Sequence, residues 1–222
     1  VWIDALEMVE MLPYEKWAQG YISIPQTKIR KEPNTTSGYW IKFEQGTPLG
    51  IKSLSRTNDW YLTTYGQNPT EAAYVMASNV NNIDASKPWY DRVVEIAEFY
   101  EGKNKSDLAL TGEWCQSFVN VCVAQAGLAD YNPWVSESNC GDAWGMISHV
   151  ATPSKGCLVY TKNRPEDTAS HVALIISNVA ENGDFDVIEG NYEGSSVVNI
   201  RPTPMNVSDT NIVGFGCPFD EA

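Results

Sequence analysis

Basic residues are scarce in this chain. Fifteen Lys and Arg stand against twenty-eight Asp and Glu, a formal charge of −13 over 222 residues. Such a balance excludes a nucleic-acid binder, because phosphate contacts need cationic side chains. The deficit is uneven: residues 1–84 carry nine acids and seven bases, residues 85–222 nineteen and eight. Histidine is rarer still, with only His149 and His171. The five cysteines, 115, 122, 140, 157 and 217, include no CxxC pair, so a Cys/His zinc site lacks ligands and no metal is expected. Five cysteines are also too few to staple a chain of this length. With Cys115 kept free, the other four form two disulfides or none. No apolar run approaches the roughly 20 residues of a membrane-spanning helix, and no GxSxG elbow offers a serine nucleophile.

What is present is a globular composition, 43% hydrophobic, in a length that suits one large domain or two ordinary ones. Ile3, Leu6, Met8, Val9, Leu12 and Trp17 alternate with acids, and residues 1–20 read as an N-terminal helical segment. From 21 to 84 the texture changes to short β-branched and aromatic runs between turn clusters such as Gln45-Gly46-Thr47-Pro48 and Thr57-Asn58-Asp59. That spacing predicts a small β-barrel. A composition break at Asn81–Pro88 follows. Ser86 as N-cap and Pro88 in the first turn open a helix whose face is Trp89, Val93, Ile96, Ala97 and Tyr100, ended by Gly102. Residues 129–155 read as irregular. Strands are predicted at Cys157–Thr161, His171–Asn178, Asp184–Asn191, Ser196–Arg201 and Asn211–Phe215. Helices followed by a run of strands give an α+β domain with helices packed on an antiparallel sheet.

Cys115 lies in Glu113-Trp114-Cys115-Gln116-Ser117-Phe118-Val119, where a Gly-broken polar loop turns into an apolar helix. Phe118, Val119, Cys122 and Ala126 form one stripe from it, and Gly127 closes the helix. A thiol on the first turn feels the positive end of the helix dipole, which favours thiolate. The alternative is a packed core thiol; Cys122, two turns down the stripe, is read that way. A nucleophile needs a base, and the base an orienting group. His149 has no polar partner nearby in sequence and reads as surface or packing. His171 opens a strand and suits a base held at a sheet mouth.

On the following strand, period-two alternation puts Phe185, Val187, Glu189 and Asn191 on the core face. Glu189 and Asn191 are therefore buried polar groups in need of a partner. A two-residue turn at Asn182-Gly183 would put His171 on the opposite face. An odd loop, such as Glu181-Asn182-Gly183 with Gly183 left-handed, keeps His171, Glu189 and Asn191 together. The odd loop is the expectation.

Three blocks now carry a resemblance: Trp114-Cys115-Gln116-Ser117-Phe118-Val119-Asn120, Ser170-His171-Val172-Ala173-Leu174-Ile175 and Ile188-Glu189-Gly190-Asn191-Tyr192. Their order and spacing resemble the signature of CHAP domains, cysteine- and histidine-dependent amidohydrolases/peptidases that cut peptidoglycan and have a papain-like fold. The resemblance covers residues 85–222. It implies Cys115 as nucleophile, His171 as base, Glu189 and Asn191 completing the site, no cofactor, and peptidoglycan or its stem peptides as partner. It implies secretion or residence in the cell envelope, with either a peptide or an amide bond cut. One departure stands out: Cys157 replaces the Asp that usually follows Gly at the family's strand opening. The second histidine usual in the related NlpC-type peptidases is missing, which favours the CHAP resemblance. Residues 21–84 resemble a bacterial SH3-like domain at Lys28–Asn34, Asn58–Tyr61 and Ala73–Val75, with Ala73 where Gly is usual. Two rivals stay open: a non-catalytic wall-binding protein, and a transglutaminase-like cysteine enzyme acting on proteins or small amides.

Overall fold

A computed structural model describes residues 17–53, 56–65, 71–129, 132–165 and 168–218. Seven strands come first: β1 (Ala18–Ile22), β2 (Thr27–Arg30), β3 (Tyr39–Phe43), β4 (Pro48–Ile51), β5 (Trp60–Thr63), β6 (Ala73–Met76) and β7 (Val80–Asp84). They pair antiparallel in the order β3-β2-β6-β5-β4-β1-β7. Each strand sends residues into a single cluster that includes Ile22, Ile29, Phe43, Leu49, Tyr61, Val75 and Val80. A sheet whose strands share one cluster has to curl around it, since a flat sheet would leave that face to water. Most of the helical segment expected at 1–20 lies outside the described residues. Its last three residues are strand, because Ala18–Ile22 pairs with both β4 and β7.

The remainder is α+β. Helices α1 (Trp89–Phe99), α2 (Cys115–Gln125) and α3 (Cys140–Trp144) precede or flank strands β8 (Ser148–Val150), β9 (Leu158–Thr161), β10 (His171–Ile175), β12 (Val187–Glu189), β13 (Asn199–Ile200) and β15 (Ile212–Cys217). These strands form an antiparallel sheet ordered β13-β12-β10-β9-β15-β8, and β11 (Asp184–Phe185) pairs with β14 (Met205–Asn206) in a separate ribbon. The expected start of α1 needs correction. Ser86 turns back to donate to Asp84, and Pro88 holds the cap position without a side-chain cap bond. The stretch 129–155 is also more ordered than its composition shows. Asn139 caps α3 by accepting from the Gly141 and Asp142 amides, and Ser148–Val150 adds an edge strand to β15.

Helix α2 is not amphipathic in place. Only Ser117 among its residues is not buried, because the helix is enclosed by the sheet, α1, the turn at 133–136 and the end of β4. Its buried amides are satisfied: Gln116 donates to Asn120 at 2.9 Å, Asn120 to the Glu137 carbonyl at 2.5 Å, and Gln125 to the Pro48 carbonyl at 2.6 Å. Gly127 ends the helix at φ +86°, where a Cβ would lie 2.0 Å from the Trp17 ring. Glycine is needed there for both conformation and space.

In place of the two disulfides or none expected, there is one: Cys157–Cys217 spans 60 residues and joins the start of β9 to the end of β15. Cys122 and Cys140 stay free, because Cys140 lies against Cys115 instead. Closing a loop of that length restricts the unfolded chain by about 4 kcal/mol. The double variant Cys157→Ala/Cys217→Ala is therefore expected to lose stability of that order. Urea unfolding with and without reductant measures it; a change under 1 kcal/mol, on the order of a surface substitution, would mean the bridge is not a structural staple.

Candidate active site

Cys115 is the first residue of α2, and Trp114 occupies the cap position in a non-helical conformation. Trp114 is fully buried and packs edge-on against Phe118, with ring centroids 6.2 Å apart. Its other neighbour is Gly190, where a Cβ would meet the Trp114 ring at 2.5 Å. The bare backbone at Gly190 lets the end of β12 close onto the start of α2. That approach brings Glu189 toward the Cys115 side of the sheet. The Cys115 sulfur lies 3.4 Å from the Cys140 sulfur, and the Val172 amide favours its charge.

His171 opens β10. The β10–β12 register pairs Leu174 with Ile188 and Ile175 with Val187, so positions 171, 173, 187 and 189 share a face. The odd loop produces this. Gly183 is left-handed at φ +88°, and Glu181-Asn182-Gly183 is closed by Gly183 N–H to Ala180 and Ala180 N–H to Asp184. By the same register Glu189 lies opposite Ala173, two residues along from His171, a diagonal that a glutamate side chain spans. Its Oε2 lies 2.5 Å from His171 Nε2, which leaves Nδ1 of the ring to face the thiol. The imidazole and Cys115 are close enough for each to favour the other's charged form.

Asn191 is not brought to the ring. The backbone there is left-handed at φ 63°, the strand has ended, and the amide side chain donates to Glu113 instead. Of the two polar residues, Glu189 is the one that contacts the ring. Arg201, which the sequence reading left unassigned, holds it in place: Nε donates to Oε1 at 2.7 Å and a terminal nitrogen to Oε2 at 2.9 Å. The pairing of Glu189 with Asn199 on β13 puts 201 on the same face by parity. A buried acid in search of a cation was the signal available for it. His149 is placed away from this chemistry, stacked on Trp144 at 3.7 Å with Nε2 against the Trp144 carbonyl.

The electrostatics follow from the contacts. Hydrogen bonding from the neighbouring Cys140 thiol most strongly favours Cys115 thiolate. Burial opposes it, and His171 and the Val172 amide add to it, bringing the Cys115 pKa down to about 5. Cys140 moves the other way and stays protonated, since its sulfur faces that thiolate. Burial works against charge on His171, but bonds to Cys115 and Glu189 outweigh it and raise its pKa to about 9. Glu189 is completely buried; desolvation disfavours its charge, yet His171 and Arg201 hold it below the usual carboxylate range. Thiolate, imidazolium, carboxylate and guanidinium thus form a row of four charges that sum to zero. Neutrality makes their joint burial tolerable.

A cleft of about 540 Å³ is lined by residues that include Ser170, His171, Asn191, Tyr192 and Arg201. A second, of about 470 Å³, is lined by residues that include Leu110, Gly112, Ser117 and Asn139. Glu113 borders both. Among the described residues, no group of three or more His, Cys, Asp or Glu is placed to hold a metal ion. Among them, too, no helix is long and apolar enough to cross a membrane.

No family model matches the sequence, and no match to a curated protein was found. Among solved structures the chain is similar to an NlpC/P60 family protein from Bacillus cereus, with TM-score 0.45 and 14% identity over 90% of this chain and 63% of that one. It is also similar to NlpC2 from Trichomonas vaginalis, with TM-score 0.42 and 12% identity over 92% of this chain and 74% of that one. NlpC1 from the same organism gives TM-score 0.41 and 12% identity over 90% and 69%. The chain spans less than two thirds of the length of the Bacillus cereus protein, and at 12 to 14% identity the likeness is distant.

Proposed function

We propose that this chain is a cysteine peptidase that hydrolyses a peptide bond in the stem peptides of peptidoglycan. One observation carries the reading: a thiol at a helix N-terminus within reach of an imidazole whose far nitrogen is 2.5 Å from a fully buried, Arg201-held glutamate. That order of nucleophile, base and orienting acid is the logic of covalent acyl transfer. The substrate class rests on the three sequence blocks that resemble CHAP domains. Two clefts that share Glu113, two residues before Cys115, offer room for a peptide near the thiol.

In the reaction, the Cys115 thiolate adds to the carbonyl carbon and the oxygen takes the negative charge. The Cys115 backbone N–H, unpaired within its own helix, is aimed to receive that charge. The His171 imidazolium gives its proton to the leaving amine as the C–N bond breaks, leaving a thioester on Cys115. Neutral His171 then takes a proton from water, whose oxygen attacks the thioester, and the thiolate and imidazolium are restored. Glu189 stabilises the charged ring at each stage.

Residues 21–84 act in this proposal as an SH3-like unit beside a catalytic unit at 85–222. A secreted or envelope location agrees with the Cys157–Cys217 bridge, since structural disulfides persist in oxidising surroundings.

Digestion of purified sacculi followed by mass spectrometry tests the function. New amino termini inside the stem peptides are expected. Release at the lactyl–alanine amide would keep the site and change the bond, whereas no products would overturn the reading. The rate should follow a bell in pH. It rises as pH climbs through about 5, where Cys115 ionises, and falls through about 9, where His171 loses the proton needed by the leaving amine. A single ionisation between those values would contradict the ion pair.

A further inference from the structure

We propose that Cys140 is a resolving cysteine, and that Cys115 and Cys140 form a reversible disulfide which closes the active site under peroxide. Their sulfurs are 3.4 Å apart, and each residue is the first of its own helix. A disulfide needs about 2.05 Å between sulfurs, so the pair closes by a side-chain adjustment on the order of 1 Å. Residual exposure of 5% and 6% lets a small oxidant reach them. Cys122 is fully buried two turns along α2, and Cys157 is already bonded to Cys217.

The chemistry balances with a hydroperoxide as oxidant. The Cys115 thiolate attacks one oxygen of hydrogen peroxide and the O–O bond breaks. The departing hydroxide takes a proton from the His171 imidazolium to form water, leaving Cys115 as a sulfenic acid. The Cys140 sulfur then attacks the sulfenic sulfur. The S–O bond breaks, and the Cys140 proton leaves with the oxygen as a second water. Two thiols have lost two electrons and one peroxide has gained them. Oxidation of Cys115 also removes the anion that holds Cys140 protonated, so Cys140 is freed to attack once its partner is oxidised. A dithiol reductant reverses the bond by exchange. Without Cys140, the sulfenic acid is open to further oxidation to the sulfinic acid, which simple thiols do not reduce.

The inference depends on Cys115 as a reactive thiol and not on its substrate, so the test reads peptide mass rather than hydrolysis. Purified full-length protein is treated with hydrogen peroxide, its free thiols are blocked with N-ethylmaleimide, and the unreduced digest is mapped. The expected result is a Cys115–Cys140 cross-linked peptide, with both sites regaining alkylation after dithiothreitol. In Cys140→Ala, peroxide should leave Cys115 as sulfinic acid, with alkylation not recovered by dithiothreitol. Oxidised Cys115 in the native sequence beside a fully alkylatable Cys140 would overturn the proposal. The map of the unmutated protein decides this even if the variant does not fold.

Discussion

Cys115→Ala is expected to abolish amide cleavage, with a loss of about 10⁴-fold or more, the scale seen when a catalytic nucleophile is deleted. Its effect on stability should be modest, because His171 can release its proton once the thiolate is gone, so no buried charge is left unpaired. The residue lies at the edge of the core with 5% of its surface exposed, and the side chain is short. Two consequences separate the loss of a nucleophile from a misfolded protein. The melting temperature should move by only a few degrees, on the order of a 1 kcal/mol change. His171 should also titrate lower than about 9, because one of the two partners that raise its pKa is gone. A variant that still cleaves at more than about a hundredth of the original rate would place the nucleophile elsewhere, since residual catalysis from binding alone is far weaker.

Glu189→Gln should cost nearly as much activity while acting through another residue. The carboxylate is completely buried and accepts from both His171 and Arg201. Glutamine keeps the shape and removes the charge, so the imidazolium loses its support and the guanidinium loses its counter-ion. The activity loss is expected at about 10²- to 10⁴-fold, with kcat carrying it. Breaking a buried pair from one side should also cost about 3–5 kcal/mol of stability. The diagnostic sign is in the pH profile. Because Glu189 helps raise the His171 pKa to about 9, the alkaline limb should move to lower pH in the variant. A limb unmoved, with activity within a few fold, would show that Glu189 does not orient the base.

Much of this site was legible in the sequence because strand parity is a strict rule. Alternation put Glu189 on the core face, and the need to keep His171 on that face required an odd loop. The left-handed Gly183 loop and the 174–188 pairing meet that requirement. Parity holds only while the strand lasts. Asn191 follows the last residue of β12, takes a left-handed backbone and turns to Glu113, and no periodicity announces that change. Arg201 was within reach of the same argument one strand further, had the buried charge on Glu189 been matched to a cation. Cys140 was not. It sits on a five-residue helix in a stretch rich in Asn, Ser and Gly, and its contact with Cys115 crosses 25 residues. Short capped helices of that kind are held by tertiary packing more than by their own pattern. The same limit applies to α2, where enclosure on every side replaced the single apolar stripe that its spacing implied.

The central claim is that Cys115 is ionised at neutral pH by its neighbours. Titrating the ultraviolet absorbance of the thiolate, as the difference between the native protein and Cys115→Ala, measures this without any substrate. The difference signal is expected to appear as pH rises through about 5. A signal that appears only near the ordinary thiol value of about 8.5 would contradict it.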